Sequence, residues 1–75
     1  MAATKPSKPW RLVLSTQGAA VYVPHRSQPA VYRALAEEKQ RIADGSSRVT
    51  RIRVEQWSVD YGRWELFERA YPEEI

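Results

Sequence analysis

Seventy-five residues hold one hydrophobic core and no more, because a chain of this length buries only about 60% of the surface it exposes when unfolded. No cysteine occurs and His25 is the single histidine, which excludes disulfide staples and leaves a zinc site almost without ligands. Net charge is +3, but no acid precedes Glu37 while Lys5, Lys8, Arg11, Arg26 and Arg33 all do; from Glu37 onward nine acids face seven bases. A basic first half suits an anionic partner, and nine arginines against three lysines favour planar, bidentate contacts. The apolar runs fall far short of the roughly 20 residues of a membrane span, and no apolar signal core precedes Trp10, so the expected location is cytoplasmic.

Residues 1–9, "MAATKPSKP", carry two lysines, two prolines and no large side chain beyond the start methionine, and read as a flexible basic arm ahead of a domain over 10–71. From Trp10 the pattern alternates, with Trp10, Leu12 and Leu14 opposite Arg11, Val13 and Ser15. "STQGA" turns the chain at Gly18, and a second alternating run reaches Pro24, whose missing N–H confines it to an edge or ends the strand. A hairpin is expected first.

"PHRSQP" then changes the period from two to near four. Ser27 is a suitable N-cap and Pro29 falls in the first turn, where its absent N–H costs nothing. Val31, Leu35 and Ile42 lie within about 40° of one another on a helical wheel, and Gly45 supplies the stop, which predicts a helix over Gln28 to Asp44. Glu38 falls inside that apolar stripe and is expected to reach Arg48 or Arg51.

Two more strands close the chain. Ile52 and Val54 share one side and Trp57 and Val59 the other, a phase slip that predicts a β-bulge in the third strand. "DYG", Asp60 to Gly62, reads as a three-residue hairpin loop. In "RWELFERAY", Trp64, Leu66 and Ala70 fall on one face, with Phe67 and Tyr71 on the other. The tail 72–75 is expected to be loose.

The fold class is therefore α+β: a β-β-α-β-β chain forming a four-stranded antiparallel sheet with one helix on one face. One short helix leaves the other face open. Val13, Tyr22, Trp57, Phe67 and Tyr71 are assigned to that open face beside Arg11, Arg51, Arg53 and Arg69. Three readings of such a surface compete. It binds nucleic acid through guanidinium–phosphate contacts and stacking, it buries its aromatics against a second copy, or arginine stems merely cover the rings while their heads stay in water. His25, Arg26 and Ser27 meet at the helix N-terminus, an anion site if more than a cap.

Enzyme chemistry lacks its parts: there is no cysteine nucleophile, no triad-like motif and little room for a pocket of about 300 Å³ or more. No catalytic residue, metal, cofactor or small-molecule substrate is expected.

"KPWRLVL", "RSQPAVYRALAEEK" and "GRWELFER" together resemble small proteins of high-GC actinobacteria and their phages and prophages. The resemblance implies a cytosolic accessory role and assigns no active residue. By arrangement alone, the chain is also similar to integrase arm-binding domains, which present a three-stranded sheet to DNA. The leading expectation is a non-enzymatic DNA-binding domain, with Arg11, Arg51, Arg53 and Arg69 on phosphate and Trp57, Phe67 and Tyr71 on bases. The alternative is a homodimeric interaction module of phage or plasmid type that docks on a host protein, favoured by Glu55 and Glu65, which would repel phosphate.

Overall fold

The structure is a computed structural model in which residues 6–72 are described; most of the expected arm over 1–9 and tail over 72–75 lies outside the described residues. The elements follow as β1 (Trp10–Thr16), β2 (Ala19–His25), α1 (Gln28–Ala43), β3 (Arg51–Ser58) and β4 (Arg63–Tyr71). The strands form one four-stranded antiparallel sheet in the order β2-β1-β3-β4, the α+β arrangement expected. Because β3 pairs with β1 on the side away from β2, the chain must return across the sheet between the hairpins, and α1 makes that crossing.

Local chemistry explains where α1 begins and ends. The Ser27 hydroxyl accepts the Ala30 N–H at 3.3 Å, which satisfies one of the donors a helix start leaves free. At the other end the Asp44 N–H reaches the Gln40 carbonyl at 2.9 Å, and Gly45 takes φ +79°, a left-handed conformation that glycine adopts without cost.

The stripe of α1 packs Val31 and Leu35 onto Trp10, Leu12, Ile52, Val54 and Ala70, with Leu14, Val23, Ile42 and Tyr71 around them. Glu38 lies in this stripe and is buried, yet it does not reach Arg48 or Arg51. Its carboxylate accepts from Arg41 at 2.6 Å and from the Ser47 hydroxyl at 2.5 Å. Arg41 is one helical turn away on the same side, so it meets Glu38 before any arginine of β3 can. The Ser47 hydroxyl, then the Arg41 guanidinium, hold the Glu38 carboxyl below its usual range, against the opposing effect of burial.

The last two strands differ from the expected pattern. β3 runs through from Arg51 to Ser58, and the irregularities sit on β4: its partners step from Tyr71 to Arg69 opposite Ile52 and Arg53, and from Glu68 to Leu66 opposite Val54 and Glu55. Ala70 and Phe67 are thus the extra residues of two bulges. The slip seen in "IRVEQW" is instead a change of which face is apolar, from the helix side at Val54 to the open side at Trp57. The loop is Val59 to Gly62, one residue longer than expected, because the Gly62 N–H closes onto the Ser58 carbonyl at 2.8 Å.

Two outcomes follow for stability. Leu35→Ala is expected to cost about 2–4 kcal/mol in urea unfolding, most of what a core this small supplies. For Glu38, whose folded pKa is depressed, the contribution is present above the unfolded carboxylate value and disappears as pH falls through the lower folded value. Stability of the wild type should therefore fall more steeply below about pH 4.3 than that of Glu38→Gln.

Candidate functional site

Cross-strand register fixes which side chains share the helix-free face. Tyr22, Val13, Arg53 and Arg69 form one row across the sheet; Pro24, Arg11, Glu55 and Leu66 form the next; Trp57 and Trp64 form a third. Ser15 and Arg51 continue the face at its other end. Among the described residues, four arginines thus share this face of the strands with one carboxylate.

The centre of that surface is closed. Arg11 Nη2 and Nε each lie 2.6 Å from Glu55 Oε1, and Arg53 Nε lies 3.1 Å from Glu55 Oε2. The Arg11 guanidinium carbon also sits 4.5 Å from the Tyr22 ring centre and 4.3 Å from that of Trp64, so two rings flank one ion pair. Trp57 meets Trp64 edge-on, with centroids 5.6 Å apart and planes at 77°, and its indole Nε1 is buried with no acceptor among the described residues. Val13 is fully buried although no helix covers it, and Tyr22 and Arg53 across the strands and Arg11 along β1 are its neighbours on that face.

Beyond this plug the face has two unlike ends. Arg53 and Arg69 stand directly opposite each other on β3 and β4, and Arg51 is two residues along β3 on the same side. Among the described residues, no carboxylate lies within ion-pair distance of Arg51 or Arg69, and both are exposed. Past the tryptophans, Val59 and Tyr61 of the β3–β4 loop leave apolar surface in water, and Leu66 and Phe67 are exposed on β4 on the other side of the tryptophan pair. An open depression of about 380 Å³ lies there against Gln56, Trp57, Glu65 and Leu66, larger than the room expected in so short a chain.

Several expected site residues sit elsewhere. Phe67 occupies a β4 bulge and turns its ring edge-on to Trp10 of the core side, with centroids 4.8 Å apart, and Tyr71 packs against the core itself. Trp64 and Leu66, expected inside, take their places on the open face. The two extra residues of β4 break its alternation, so parity cannot be carried from one end of the strand to the other. Counting outward from the hairpin loop would have placed Trp64 opposite Trp57 and Leu66 opposite Glu55. Arg11, Arg51, Arg53, Arg69 and Trp57 are where they were expected, but Arg11 spends its donors on Glu55.

The helix N-terminus is divided among other tasks. Ser27 caps, Arg26 is exposed, and His25 has its pKa lowered by burial and then by Lys8, with Nε2 buried and without a hydrogen-bond partner among the described residues. A neutral imidazole adds no charge for an anion. Across α1, the Tyr32 hydroxyl donates to Glu68, and burial together with that carboxylate pushes Tyr32 up to about 12. Among the described residues, no group of His, Asp or Glu side chains is placed to hold a metal ion, and no helix is long and apolar enough to cross a membrane.

No protein family, curated protein or solved structure matches the chain.

If the Arg11–Glu55 pair holds the open face together, the arginines should differ sharply in their effect on stability. Glu55→Ala is expected to cost about 2–4 kcal/mol, since it strands a flanked guanidinium, and Arg51→Ala no more than about 0.5 kcal/mol; urea unfolding reads both.

Proposed function

We propose that this chain is a small non-enzymatic module that binds nucleic acid through the phosphate backbone, using the basic end of its open sheet face. The observation that carries the reading is the placement of Arg53 directly opposite Arg69, with Arg51 beside them. Like charges directly across a sheet are destabilising. Glu55 relieves only Arg53, and it is already shared with Arg11. A row of phosphates would supply negative charge to Arg51 and Arg69 and add to the share of Glu55 that Arg53 has, and all three guanidinium groups suit phosphate geometry.

The aromatic part of the surface supports phosphate contact over base stacking. One ring face of Tyr22 and one of Trp64 already carry the Arg11 guanidinium, and the edge of the tryptophan pair is internal. Phe67 and Tyr71 take no part. The reading therefore assigns Arg51, Arg53 and Arg69 to phosphate and keeps Arg11, Tyr22 and Trp64 as the support beneath them.

A second reading rests on a separate observation: Val59, Leu66 and Phe67 are exposed and line one open depression at the β3–β4 hairpin, an apolar surface that phosphate would not use. A protein partner of complementary apolar character would fit that end of the domain.

Fluorescence anisotropy with a duplex oligonucleotide tests the first reading. Affinity should fall linearly with the logarithm of salt concentration, with a slope near −0.9 for each phosphate neutralised, and Arg51→Ala and Arg69→Ala should each flatten the slope by about one. No salt-dependent binding in dilute salt, or slopes unchanged in both variants, would remove it.

A further inference from the structure

The two edges of the sheet are not equivalent. β4, at one edge, carries Arg63, Glu65, Glu68 and Arg69 and is interrupted by the bulges at Phe67 and Ala70, devices that blunt pairing with another strand. β2, at the other edge, is "AAVYVPH", seven residues with no lysine, arginine or acid and no register shift against β1. An uncharged, regular edge of this length is a template for a further strand.

The backbone bonds show which groups of β2 are free. The Thr50 N–H donates to the Ser15 carbonyl and the Trp57 N–H to the Pro9 carbonyl, each at 2.8 Å, so the odd-numbered residues from 9 to 15 turn their backbone groups toward β3. Trp10, Leu12, Leu14 and Thr16 therefore bond to their β2 partners His25, Val23, Val21 and Ala19. That leaves Ala20, Tyr22 and Pro24 with backbone groups pointing away from the sheet. Pro24 lies where its missing N–H breaks no bond to β1. On either side of this edge, Val21 is 55% and Tyr22 50% exposed.

We propose that β2 is a self-association edge, and that two copies of this chain join β2 to β2 in antiparallel register about a twofold axis at Tyr22. The strand is complementary to itself in that register except that Pro24 has no N–H to give the partner's Ala20 carbonyl. Tyr22 exchanges both backbone bonds with the partner's Tyr22. The Ala20 N–H reaches the partner's Pro24 carbonyl, and the symmetric bond forms on the other side. Val21 then meets the partner's Val23 on the helix side, covering the apolar surface that a single copy leaves in water. No charge is brought against a like charge along the joined strands. A chain with no disulfide and so small a core also gains stability from burial shared with a second copy.

The register has a geometric consequence. Tyr22, Val13, Arg53 and Arg69 occupy one row of the sheet, so an axis at Tyr22 aligns the Arg53–Arg69 pairs of both copies in a single line on the same face. The two β4 strands end seven inter-strand steps apart, about 34 Å at roughly 4.8 Å per step, close to one turn of B-form duplex. That spacing rests on the nucleic-acid reading; the dimer does not, and its test contains no nucleic acid.

Sedimentation equilibrium and amide hydrogen exchange of the full chain, in wild type and Val21→Lys, decide the matter. Val21 is half exposed, so its lysine variant keeps the monomer fold, which circular dichroism checks. The wild type is expected to sediment as a dimer with slowed exchange at the Ala20 and Tyr22 amides, and Val21→Lys to weaken association by roughly tenfold or more and to release both amides. A wild type that stays monomeric at millimolar concentration overturns the proposal. So does a dimer that Val21→Lys leaves intact while the Ala20 and Tyr22 amides exchange freely, because it would join elsewhere.

Discussion

One helix of sixteen residues cannot cover both faces of a four-stranded sheet, and the chain's surface chemistry follows from how the uncovered face is kept stable. Val13 stands on that face with no helix above it. The Arg11–Glu55 ion pair, flanked by Tyr22 and Trp64, draws four strands together above the backbone: Tyr22 belongs to β2, Arg11 to β1, Glu55 to β3 and Trp64 to β4. A carboxylate this buried would be costly alone. Two arginines and their stems make it a second, polar core that does for the open face what Leu35 and Val31 do for the other.

This arrangement separates the arginines by role, although they look alike in sequence. Arg11 and Arg53 share Glu55, whereas Arg51 and Arg69 project from the same face with no acid within ion-pair distance among the described residues. The surface is thereby split into a closed centre, a basic end and an apolar end. Glu55, which as an isolated acid weighs against phosphate binding, is a structural partner at the centre, and the basic end keeps its charge.

The hairpins and the helix were legible because each rests on local signals: period-two alternation, Ser27 with Pro29, and Gly45 as a stop. The third strand's Ile52 and Val54 fell on the core side for the same reason. β4 was not legible from its own pattern. Its two bulges leave Leu66 and Arg69 on one face three residues apart, so the alternation that assigns faces elsewhere gives wrong answers for Trp64, Leu66, Phe67 and Tyr71. The partner of Glu38 is Arg41, one turn along the same helix, and not Arg48 or Arg51, because a neighbour at i,i+3 is in reach without any tertiary fold. What the sequence could not contain is the strand order, since it is the order that brings β4's tryptophan beside β1's arginine.

The division of the arginines is the claim on which the account of the open face depends, and arginine side-chain NMR tests it most directly. In a heteronuclear spectrum of the Nε–H groups, the Arg11 signal should be slow to exchange with water and unmoved on titration with a DNA duplex, while the Arg51 and Arg69 signals exchange quickly and shift. A freely exchanging Arg11 Nε–H that shifts together with Arg51 and Arg69 would contradict it, because the centre of the face would then be open.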